Sequence, residues 1–233
     1  MNVPGPWSEA AKAVFRLRKV DYLAVGQVAG GENEELVAWT NHRNAPIALY
    51  NDEAPRVRCL EIVELAQRLG SGPELLPNDI GERMEVVALV NEIGGESGFA
   101  WHGRLVMLKP GHDAKGDAIL ATPLYRDYGY TPQAAATAIT RVQEILDMLS
   151  TRIATQKSAG SPYLVGNAIS AADVYWAYFS QMLEAMPPEQ NPMPDFLRKS
   201  WGFVAQALGE YDPVLIEHRN YIFNEHLELP LQF

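Results

Sequence analysis

Cysteine is nearly missing. The 233-residue chain has one, Cys59, so no disulfide can form within it, and a reducing cytoplasm is the expected compartment. Positive charge is also scarce: 19 Lys and Arg stand against 29 Asp and Glu, a net charge of −10. Phosphate backbones are gripped by clustered Lys and Arg, so nucleic acid is excluded as a main partner. No run is apolar for long enough to span a bilayer, which excludes a membrane partner of that kind. The opening MNVPGPWSEAAKAV has no basic segment followed by an apolar core, so no secretory signal is expected. Repeats and low-complexity segments are absent. His218 and His226 are too far apart to pair on consecutive helical turns, and no metal is expected.

What the chain does have is apolar mass, 47% of its residues, enough for one large core or two small ones. Its most informative run is Ser161–Phe179, SPYLVGNAISAADVYWAYF. Ser170 can cap a helix by accepting from the free N–H groups of the first turn, and Asp173 can reach back to the Ser170 N–H. Ile169 and Val174 flank the cap as a hydrophobic staple. The residues that follow, Val174 to Leu183, are apolar nearly all round, which marks a buried helix.

Taken in order, Ser8 is expected to cap a first helix with Ala11, Val14, Phe15 and Leu17 on its inner face. Asp21–Gln27 reads as a strand, Asn33–Trp39 as two helical turns, Ile47–Tyr50 as a second strand and Arg56–Leu69 as a helix stopped by Gly70. Pro46 fits a strand start, because proline donates no ladder bond. Ser71–Asp79 is a linker. Beyond it, helices are expected over Ile80–Ile93, Phe99–Leu108, Pro132–Gln156, from Ser170 until Pro187–Pro188, Asp195–Leu208 and Pro213–His226. Lys109–Tyr130 is expected to be a polar loop. The organisation is therefore α/β over residues 1–72 and all-α over residues 80–233.

The Leu164–Val165–Gly166–Asn167 loop, the capping Ser170, the two alanines, Asp173 and the aromatics after it resemble the start of the central buried helix of glutathione transferases. The helix–strand–helix–strand–helix order with Ala45–Pro46 before the second strand is similar to the thioredoxin-like N-terminal domain of that superfamily. The resemblance implies a thioredoxin-like domain at 1–72 with its first strand short or missing, since only Met1–Gly5 precede Pro6, and an all-helical domain at 80–233. It implies a cis peptide before Pro46, with the Ala45 backbone offered to the cysteinyl part of glutathione.

Such enzymes set a hydroxyl or thiol near the start of the first helix, where it stabilises a bound thiolate. The matching position here is Gly5, which has no donor, so Ser8 is the catalytic candidate. Trp7, Arg43, Ala45, Pro46, Val57 and Arg58 are the candidate glutathione contacts. Arg43 stands where the glycyl carboxylate binds, and Val57–Arg58 replace the acidic–Ser pair that holds the γ-glutamyl end. Arg58 is suited to a bidentate carboxylate contact. An acceptor pocket between the domains would be lined by Trp7, Trp101, Arg104, Tyr125 and Tyr128, aromatics with polar tips and a cation among them. Cys59, on the third helix, reads as a packed, inert thiol.

Two functions follow. One is a glutathione transferase-like enzyme that conjugates, cleaves or isomerises a small electrophile, with glutathione as co-substrate. The other is a non-catalytic protein of that fold holding a small apolar or aromatic ligand. The resemblance also implies a homodimer.

Overall fold

A computed structural model describes residues 5–28 and 31–232. Met1–Pro4, on which most of the expected short first strand falls, lie outside the described residues. Ten α-helices are described: α1 Pro6–Leu17, α2 Glu34–Thr40, α3 Cys59–Leu69, α4 Ile80–Gly94, α5 Phe99–Lys115, α6 Pro123–Asp127, α7 Pro132–Ser158, α8 Ala171–Phe179, α9 Asp195–Leu208 and α10 Val214–His226.

The core is built around α8. Every residue of this helix is buried, and α1, α4 and α10 pack around it. Its start is over-determined, as expected. Asp173 accepts from Ser170 N at 2.8 Å, from Ser170 Oγ at 2.7 Å and from Leu164 N at 2.7 Å. Burial pushes the Asp173 carboxyl up to about 6 even so. His218 on α10 lies beside it, Nε2 to Oδ1 3.1 Å, and burial pushes its imidazole down to about 4, so it is neutral at pH 7. Thr131 caps α7 by accepting from Ala134 N, with Pro132 in the first turn, where its missing N–H costs nothing.

The N-terminal part departs from expectation. No sheet forms among the described residues; the one ladder contact is an antiparallel bridge between Ala48 and Arg56. Those two residues exchange both N–H···O bonds at 2.9 Å. The next hydrogen-bonded pair of that ladder would set Pro46 opposite Arg58. Pro46 has no N–H, and Arg58 N donates instead to Glu61 Oε2. On the other side the chain has already turned, with Glu53 N bonding Tyr50 O. Asp21–Gln27 is not a strand either. Leu23 is 89% exposed and Val25 59%, and Val28 pairs with the Asn33 side chain rather than with a neighbouring strand. Strand propensity is fulfilled only when a partner strand is present.

Two further corrections concern helices. The cap of α1 is Gly5, not Ser8, which lies inside the first turn. Lys109–Tyr130 is mostly helical: α5 runs through Pro110 to Lys115, a 3-10 segment covers Gly116–Ala121 and α6 follows. The linker is stitched down by Arg18. This buried guanidinium donates to the carbonyls of Gln67, Gly70, Gly72 and Pro73, and Ser71 N and Gly72 N donate to Arg18 O. A Cβ on Gly72 would stand 1.8 Å from Leu17 O, so only glycine allows this approach.

Candidate functional site

The N-terminus of α1 meets α5 and α6 at one place. Pro6 sits in the first turn of α1, where its fixed φ suits helix entry, and this aims Trp7 at the helical half. Trp7 Nε1 donates to Gly94 O at 2.8 Å, and its ring packs edge-on against Phe179 with centroids 4.9 Å apart. Trp101 and Arg104 are one turn apart on α5 and so share a face. Tyr128 closes the C-terminal end of α6. Its ring lies 5.0 Å from that of Trp101 and 6.5 Å from that of Trp7. The Arg104 guanidinium stands 5.7 Å from the Trp7 ring and 5.5 Å from the Tyr128 ring, cation–π distances to both. Trp7, Trp101, Arg104 and Tyr128 are thus brought together as the sequence suggested. Tyr125 is not. It is buried, donates to Leu108 O at 2.7 Å and packs edge-on against Tyr130.

The loop before Pro46 reaches this seam through Arg43. Arg43 Nη2 pairs with Asp127 Oδ2 and Nη1 lies 3.6 Å from Glu32. Asp127 directly precedes Tyr128, so one ion pair fastens the loop to the helix that carries the aromatic lining. The Ala45–Pro46 peptide is cis, with Ala45 exposed and Pro46 half-buried.

Several expected contact residues are committed within the protein. Val57 N and Arg58 N both donate to Glu61 Oε2, at 3.0 and 3.1 Å, which closes the start of α3 in the manner of a capping box. The Arg58 side chain is exposed. Glu53, in the turn before α3 and outside the expected set, bonds Arg56 and Arg68, and the Arg68 hydrogen bond holds its carboxyl below the usual range. Cys59 is half-buried; burial pushes its thiol up to about 11, so it is not a thiolate at neutral pH. Ser8 is half-buried in the first turn of α1, and its hydroxyl has no hydrogen-bond partner among the described residues. Sequence reasoning missed Asp127, Phe179 and the Gly94 carbonyl. None carries a local signal, since each is defined by a partner distant in the chain.

No family model matches the chain, and no curated protein matches it. Solved structures do. The chain is similar to the monomeric glutathione S-transferase Na-GST-3 of the hookworm Necator americanus, at 15% identity and TM-score 0.59 over 97% of this chain and 91% of that one. A Tau class glutathione S-transferase from mango, Mangifera indica, gives 18% identity and TM-score 0.54 over 97% and 95%. A glutathione S-transferase from Methylobacillus flagellatus, solved with glutathione bound, gives 13% and 0.59 over 92% and 95%. The chain has the fold of the glutathione transferase superfamily. Identities this low define the fold and leave the chemistry to the site.

Proposed function

We propose that the protein is a glutathione transferase-like enzyme that uses glutathione as co-substrate to conjugate, cleave or isomerise a small electrophile. One observation supports the reading: Trp7, in the first turn of α1, clusters with Trp101, Arg104 and Tyr128, and Arg43, two residues before the cis Ala45–Pro46 peptide, pairs with Asp127 beside Tyr128. In this reading Ser8 donates its hydroxyl proton to the glutathione sulfur and so favours thiolate over thiol, and the positive end of α1 adds to the effect. The freedom of Ser8 from capping supports that role. Ala45 offers its backbone to the cysteinyl part of glutathione beside Pro46, and Trp7 walls the sulfur from the helical side. The unit over 1–72 is then a thioredoxin-like domain reduced in its sheet, set against the all-helical unit over 80–233. The protein acts in the cytoplasm as a homodimer.

A specific observation supports a second reading, that of a non-catalytic protein holding a small aromatic ligand. Arg43, Val57 and Arg58, three of the expected glutathione contacts, are either bonded within the chain or turned to solvent. Calorimetry with millimolar glutathione separates the two. The enzyme reading expects binding heat and a raised melting temperature, and a roughly 10²-fold loss of turnover in Ser8→Ala with glutathione affinity kept. Absence of glutathione binding leaves only the second reading. Binding with an unchanged thiol pKa in Ser8→Ala removes Ser8 as the activator.

A further inference from the structure

Of the thirteen arginines in the sequence, eleven have a side-chain partner among the described residues. Arg16, Arg43, Arg56, Arg68, Arg126, Arg141, Arg152 and Arg219 meet carboxylates; Arg18, Arg83 and Arg198 meet backbone carbonyls. Arg58 is exposed and bathed in water. Arg104 is the exception. It is half-buried, its Nε is shut off from solvent without an acceptor, and its guanidinium has no hydrogen bond or ion pair with a described residue. It stands in a chain of net charge −10, where carboxylates are plentiful. A guanidinium partly withdrawn from water, with its Nε buried and no counter-charge beside it, is under-satisfied, and the rings of Trp7 and Tyr128 offset part of that cost.

We infer that Arg104 is the anion-binding group of this seam, and that the acceptor molecule is an aromatic or conjugated compound bearing a carboxylate. The guanidinium fork suits two parallel N–H···O bonds to one carboxylate. Held between the Trp7 and Tyr128 rings, it loses little freedom when they form. The rings themselves, with Trp101, offer faces to the flat apolar part of the same molecule. The inference rests on the reading that this seam admits a small molecule, and it adds the charge and shape of that molecule.

The test compares trans-cinnamate with its neutral methyl ester by titration calorimetry, using the full chain as wild type, Arg104→Gln and Arg104→Lys. Wild type is expected to bind cinnamate at least ~10-fold more tightly than the ester. Arg104→Gln should erase that preference while holding the ester as before, and Arg104→Lys should restore part of it. If the ester binds and wild type shows no preference, or Arg104→Gln keeps it, Arg104 does not select the anion and the inference fails alone. If Arg104→Gln instead weakens glutathione and leaves the cinnamate preference intact, the anion held is glutathione's own and the inference is overturned. If neither compound binds at millimolar concentration, the seam is not an aromatic acceptor site and the reading beneath it fails too. Thermal melts of the variants confirm that each is folded.

Discussion

Val174 and Leu23 are both aliphatic, and both lie in segments whose pattern predicts regular structure. Val174 is 0% exposed in the central helix, while Leu23 is 89% exposed in irregular chain. The difference lies in where the defining interactions come from. The start of α8 is fixed by groups within a few residues, Ile169, Ser170 and Asp173, and the helix bonds to itself. A strand over 21–27 has to borrow its bonds from another strand, and none of the described segments provides them. The helical half therefore carries a self-specified core, whereas the N-terminal part takes its shape from what it is tied to: Arg18 to the linker, Arg43 to Asp127, Trp7 to Gly94.

The comparison makes its strongest demand at Asp173. Replacing it by Ala leaves Leu164 N and Ser170 N buried without acceptors. Each orphaned donor costs about 1–3 kcal/mol, so Asp173→Ala should lose roughly 3–5 kcal/mol, a large part of a typical domain's total stability. Urea denaturation followed by circular dichroism measures it. A loss under about 1 kcal/mol would mean that α8 does not organise the core, and the contrast between the two regions would lose its basis.

Arg18→Met tests the fastening between the regions. The variant keeps the stem's apolar packing and removes the donors to four backbone carbonyls. Water can reach some of those carbonyls once the linker loosens, so the expected loss is about 2–3 kcal/mol. Limited proteolysis should show new cleavage between Gly70 and Leu76 well before the helical half is cut. Unchanged cleavage and an unchanged denaturation midpoint would show that the linker is held by something else, such as the Ala171 N to Leu75 O bond.

The same locality explains what could be read from the sequence. Thr131–Pro132 and Ser170–Asp173 announce their helices within a few residues, and Asp195–Leu208 comes out with the bounds expected of it. Lys109–Tyr130 misleads because Pro110, Gly111, Gly116 and Pro123 look like breakers. Yet Pro110 lies in the last turns of α5, and the Tyr125 hydroxyl bonded to Leu108 O fastens the segment to the core. The site divides in the same way. Trp101 and Arg104 share a helix face by spacing, and their grouping was legible. Tyr125 and Tyr128 are three apart, but Tyr125 is the middle residue of a five-residue helix and Tyr128 lies just past its end, and they diverge, one into the core and one into the seam. The Arg43–Asp127 pair joins residues 84 positions apart, beyond the reach of any local pattern. The unpartnered Arg104 stands out only once the other arginines are seen to be paired or, like Arg58, open to solvent.

The smallest expected effect is at Leu23, and it sharpens the comparison most. The side chain is exposed and its backbone joins no ladder, so Leu23→Ser removes almost no buried area in a single chain. The change in unfolding free energy should stay within about 0.5 kcal/mol, as for surface sites generally. A loss above about 1.5 kcal/mol would show that Leu23 is covered in solution. Burying a leucine side chain is worth about that much or more, and the cover would have to come from outside the chain's own described contacts. Repeating the denaturation at tenfold lower protein concentration then identifies the cover. A midpoint that falls with dilution points to a second copy, and an unchanged one points to packing by residues of the same chain. The second result would move the 21–28 segment into the self-supporting region, whereas the first would make it part of an interface between copies.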